Sequence, residues 1–106
     1  MEIVKRYFSD PNMSFLLFGP RGTGKSTWLK AEFPNALYLD LLSPELFRIF
    51  SAKPERLQEY IEGNPNKKII IIDEIQKIPV LLDVVHQLME KNRDICFIMT
   101  GSSSRK

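Results

Sequence analysis

Cysteine is almost missing from this sequence: Cys96 is the single one in 106 residues. An internal disulfide is therefore excluded, and the apolar run around Cys96 points to a buried, inert thiol. Histidine is equally scarce. His86 has no second histidine or cysteine at metal-ligand spacing, and its helical position reads as solvent-facing. No apolar run approaches the roughly 18 residues of a membrane-spanning helix. The start, Met1 to Arg6, lacks the apolar core of a signal peptide. Neither sign of charge dominates: 15 Lys and Arg face 13 Asp and Glu, for a net +2. A nucleic-acid-binding domain usually shows stronger, clustered basicity. These absences lead us to expect a cytoplasmic protein with neither a membrane nor a nucleic acid as partner. The length suits one small domain with one core, residues 1–106.

What is present alternates strand with helix. Glu2 to Phe8 has helical spacing, and 9–12 breaks it. A strand over about 14–18 is followed by a helix from about Gly24 to Glu32, and a second strand by 36–41. Ser43-Pro44-Glu45 is a helix start, with Leu46, Phe47, Ile49 and Phe50 as its apolar face. A short helix restarts at 53–55, turns Leu57, Tyr60 and Ile61 inward, and stops at Gly63. Ile69 to Ile72 does not alternate, so both of its faces should be buried, as in a central parallel strand. Pro79 opens a helix to about Glu90, and 95–99 is a fourth strand that ends in a polar run. The class is α/β with a parallel sheet.

The chemistry centres on Gly19-Pro20-Arg21-Gly22-Thr23-Gly24-Lys25-Ser26. It fits G-x-x-x-x-G-K-[ST], the P-loop or Walker A motif, and it stands between a strand and a helix as that motif requires. Successive backbone N–H groups at a helix N-terminus form a concavity for anions. Gly22, Thr23 and Gly24 should face a β-phosphate, Lys25 the β- and γ-phosphates, and Thr27 the α-phosphate. The Ser26 hydroxyl should bind Mg²⁺. Ile69 to Glu74 fits a Walker B motif, an apolar strand followed by acids. Asp73 would hold Mg²⁺, and Glu74 would polarise the attacking water. Parallel strands bring their C-terminal ends to one edge, so Ser26, Asp73, Glu74 and Thr100 can converge. Thr100 is read as the sensor of the γ-phosphate or lytic water, with Ser102 as its alternative. The segment 66–69 lacks the acid of a guanine-recognition motif, which favours ATP over GTP. Arg48, Arg56 and Arg93 are scattered, unlike the arginine clusters of small-molecule kinases. A non-enzymatic nucleotide-binding module that oligomerises is the other alternative.

Four segments together resemble the prokaryotic AAA-type ATPases that carry an uncharacterised C-terminal domain. They are Gly19-Pro20-Arg21, Tyr38-Leu39-Asp40-Leu41, Ile72-Asp73-Glu74-Ile75-Gln76-Lys77-Ile78-Pro79 and Thr100-Gly101-Ser102-Ser103. The resemblance implies a P-loop NTPase core of about four mostly parallel strands in the order 1-4-3-2, with Glu74 as the catalytic glutamate. It implies ATP and Mg²⁺ as ligands and hydrolysis to ADP and phosphate. Such ATPases continue into a further strand, an arginine finger and a C-terminal domain. We therefore expect this chain to be the N-terminal part of an ATPase domain, binding nucleotide with slow or no turnover by itself. Its open sheet edge would be completed by self-association or by another chain.

Overall fold

The computed structural model describes residues 15–19 and 24–102. The helix expected over 2–8, the loop residues 20–23 and the tail from 103 lie outside the described residues. In chain order the elements are β1 (Phe15–Gly19), α1 (Lys25–Glu32), β2 (Leu37–Asp40), α2 (Pro44–Ala52) and α3 (Arg56–Glu62). There follow β3 (Ile69–Asp73), a 3-10 turn (Ile75–Lys77), α4 (Leu81–Lys91) and β4 (Cys96–Ser102). The four strands form one sheet in the order β1-β4-β3-β2, and every neighbouring pair is parallel. This is the expected α/β P-loop NTPase core, with the expected strand order.

The strand order explains why the helices occupy two layers. From β1 the chain crosses the whole sheet to β2, then steps back through β3 to β4. Right-handed crossovers made in opposite directions put their helices on opposite faces. On one face, Leu29 of α1 packs with Ile71, Cys96 and Ile98, flanked by Trp28 and Phe33. On the other, Ile70, Ile72, Phe97 and Met99 meet Phe50 of α2, Leu57 and Ile61 of α3, and Leu81, Val85 and Leu88 of α4. Ile70, Ile71 and Ile72 are all fully buried, as a strand covered on both sides must be.

Local details differ from the sequence expectation for physical reasons. Phe47 is 39% exposed. It lies at the rim of the stripe through Leu46, Ile49 and Phe50, about 100° round the helix from Leu46. Ser43 occupies the cap of α2, but its side chain makes no capping bond. Gly63 ends α3 with a right-handed φ of −77°, while the Asn64 amide donates to the Tyr60 carbonyl at 2.8 Å. Pro79 stands before α4 rather than in its first turn. The chain leaves β3 through the 3-10 turn, and Leu81 and Leu82 close three-residue turns on Ile78 and Pro79. Thr100 to Ser102, the start of the polar run, continue the strand. Thr100, Gly101 and Ser102 pair with Leu17, Phe18 and Gly19, so β1 draws β4 out to Ser102.

Candidate functional site

The C-terminal ends of β3 and β4 and the N-terminus of α1 meet at one edge of the sheet. Side chains alternate across strands, so Asp73 shares a face with Ile71, and Thr100 with Ile98. That is the face on which α1 lies. Lys25 and Ser26 open α1, which brings them over the same edge. Gly24, just before them, has a φ of 80°. A Cβ there would meet nothing within 4 Å, so the demand for glycine is one of backbone angle, not space. The first turn of α1 holds no acidic residue of its own.

Asp73 is the hub. It is 2% exposed. The Ser26 hydroxyl donates to its Oδ2 at 2.5 Å, and the Thr100 hydroxyl to its Oδ1 at 2.5 Å. These lengths belong to charge-assisted O–H···O⁻ bonds. The Tyr38 phenol also donates to Oδ2, at 2.5 Å. Burial acts to raise the Asp73 pKa. The hydroxyls of Ser26, Thr100 and Tyr38 and the nearby Lys25 charge outweigh it, and the carboxyl is held below its usual range. Asp73 is therefore a carboxylate at neutral pH. Burial, with the adjoining Asp73 charge, pushes the Tyr38 phenol well above its ordinary range, so it acts as a donor.

Lys25 is 6% exposed and donates from Nζ to the Gly101 carbonyl at 3.0 Å. Thr100 is fully buried. Its oxygen accepts the Glu74 N–H at 3.0 Å while its proton goes to Asp73. The hydroxyl expected to face a phosphate or a water thus joins the Asp73 carboxylate to the backbone N–H of Glu74. Thr27 is exposed on the first turn of α1. Gly19 ends β1. The loop residues Pro20, Arg21, Gly22 and Thr23, and the side chain of Ser102, lie outside the described residues.

Glu74 adopts a left-handed backbone, φ 66° and ψ 51°, and is 5% exposed. The Gln76 amide donates to its Oε1 at 2.5 Å. A non-glycine residue in this region is held against its own preference, at a cost of about 1–2 kcal/mol. Comparing two truncations isolates that cost, since both lose the carboxylate. Glu74→Gly is expected to exceed Glu74→Ala in stability by about 1 kcal/mol, roughly 5 °C in melting temperature. Equal melting points would show that the backbone there carries no strain.

Sequence reasoning did not single out Tyr38 or Gln76 as site residues. The alternation along β2 was the available signal for Tyr38. Its Cα partner is Ile71, two positions before Asp73 on the same face, and a long side chain reaches such a diagonal neighbour.

The family model of the AAA domain matches residues 11–106. The chain belongs to this family, an ATPase-type class of nucleotide-binding domain. The proteasome-activating nucleotidase of Methanopyrus kandleri is 37% identical over 82 residues, which are 73% of this chain and 19% of that protein. Among solved structures, that of C. elegans PCH-2 is similar in fold, with a TM-score of 0.51 at 17% identity. The alignment covers 96% of this chain and 33% of PCH-2. The chain thus spans a third or less of the length of these relatives. Among the described residues no helix is long and apolar enough to cross a membrane.

Proposed function

We propose that residues 1–106 form the nucleotide-binding part of an AAA ATPase domain that binds Mg-ATP and hydrolyses it to ADP and phosphate. One observation carries this reading: an ammonium, a hydroxyl and two acids from α1 and β3, with Thr100 of β4, converge at one sheet edge. Phosphoryl transfer is mainly positioning and charge neutralisation, which is what such a set supplies.

The donor set suits Mg²⁺. Ser26 gives its proton to Asp73, which leaves its oxygen lone pairs for a hard cation, and Asp73 is anionic beside it. Among the described residues no three of His, Cys, Asp and Glu cluster as a metal site. Magnesium bound with a nucleotide needs no such cluster, because phosphates and waters complete its shell. Ser26 and Asp73 would hold the ion, which when bound neutralises charge on the phosphate oxygens. Lys25 donates to the β- and γ-phosphates. The loop Gly19 to Thr23, with Gly24 and Thr27, surrounds the triphosphate. Glu74 accepts a proton from the attacking water. Thr100 fixes both acids, by Oδ1 of Asp73 and by the N–H of Glu74.

Mg-ATP at about a hundred times its dissociation constant should stabilise the fold by about 2.7 kcal/mol and raise the melting temperature by on the order of 10 °C. Thermal melts with ATP and magnesium, ATP and EDTA, and magnesium alone check this. A melting point indifferent to millimolar Mg-ATP would sink the reading.

A further inference from the structure

The bond from Tyr38 to Asp73 goes beyond what the nucleotide-binding reading asks of the site. Tyr38 stands on β2, outside the loop, helix and two strands that carry the other groups. Yet its phenol reaches Oδ2 of Asp73 at 2.5 Å, the oxygen that also accepts from Ser26 at 2.5 Å. Thr100 takes Oδ1. A carboxylate offers about four acceptor sites, and three of these are used by hydroxyls from three different elements. The torsion that rotates an aspartate carboxyl is soft and broad. Donors on both oxygens, from α1 and β4, oppose that rotation. A third, arriving from the neighbouring strand, fixes the plane of the group. The tyrosine is itself held: the Lys30 ammonium of α1 lies 4.9 Å from its ring centroid, and it packs against the cluster of Leu29, Ile71, Cys96 and Ile98.

We propose that Tyr38 is a positioning residue for the cation that accompanies the nucleotide. Its phenol fixes the plane of the Asp73 carboxylate and, through Oδ2, the orientation of the Ser26 hydroxyl, the two groups that the proposed function gives to the ion. The proposal rests on the reading of Ser26 and Asp73 as the cation-binding pair. Hydrogen-bond partners of metal-binding groups typically change metal affinity tenfold or more when removed.

Tyr38→Phe deletes one oxygen and keeps the ring beneath Lys30. Magnesium is titrated into parent and variant in the presence of a fluorescent ATP analogue, and the analogue is titrated separately in EDTA. The magnesium midpoint is expected to rise about tenfold in the variant, with affinity in EDTA unchanged. A midpoint equal to the parent's overturns the role of Tyr38 and leaves the site reading standing. Equal weakening with and without magnesium also overturns it, because the tyrosine would then serve only the packing of β2. A parent whose nucleotide binding ignores magnesium overturns both the proposal and the reading beneath it. Lys30→Met is a second variant, milder and outside the hydrogen-bonded set. It frees the ring, and a rise of the magnesium midpoint in the same direction is expected.

Discussion

Lys25→Ala is expected to weaken Mg-ATP binding by at least about a hundredfold. A hydrogen bond to a charged group contributes about 1.5–3 kcal/mol, and the ammonium serves two phosphates, so a loss near 3 kcal/mol is conservative. The position of the side chain supports the estimate. Lys25 is buried at the first residue of α1, and its bond to the Gly101 carbonyl fixes the head group at the edge where the strands end. Little ordering then remains to be done on binding. The fold should survive, because the charged hydrogen bond to the Gly101 carbonyl is worth about 1.5–3 kcal/mol, below the roughly 5–15 kcal/mol stability of a domain. Lys25→Arg separates charge from shape. A planar fork cannot replace a compact ammonium in a buried site, so it should fail to restore affinity. Fluorescence polarisation with a labelled nucleotide, run beside thermal melts, tests all three proteins. Parent-like binding by Lys25→Ala would remove the main support for a phosphate site here.

Glu74→Gln should divide binding from chemistry. The amide keeps the size of the side chain and still offers an oxygen to Gln76, and the left-handed backbone is untouched. What it loses is a proton acceptor. Removing a general base typically costs 10²- to 10⁴-fold in rate, so phosphate release by the full-length protein should fall by about that factor. Mg-ATP affinity should stay within about threefold of the parent, since the ligands of phosphate and cation are unchanged. A variant that hydrolyses at the parental rate would move the base elsewhere. One that loses binding as well would make Glu74 a structural residue of the β3 exit.

Much of this was legible in the residues because motifs with fixed spacing carry their own context. Lys25 and Ser26 follow the glycines by sequence alone, and Asp73 and Glu74 follow the isoleucine run. The two-sided burial of β3 came from its unbroken apolar run, and the strand order from the family resemblance. What stayed hidden depends on pairing between distant segments. The strand character of Thr100 and Gly101 exists because β1 lies beside them. The Tyr38 contact requires the register of β2 against β3. Thr100 illustrates the limit in another way. Its place near the C-terminal edge of the sheet was foreseeable, but which neighbours would claim its hydroxyl was not, since that depends on the backbone angle at Glu74. The left-handed turn there has no sequence signature: glutamate is among the residues least suited to it.

The pairing of β1 has a consequence for how the molecule comes into being. Among the described strands β1 has one neighbour, β4, and Phe15 meets Ile98 across nearly the whole chain. The contacts of β2 with β3, and of β3 with β4, close much shorter spans. Long loops are the costly ones to close, and they slow folding. During synthesis β1 is made before the other described strands, and among them it has no partner until β4 has been made. The first of the four strands to be translated is therefore the last to be paired.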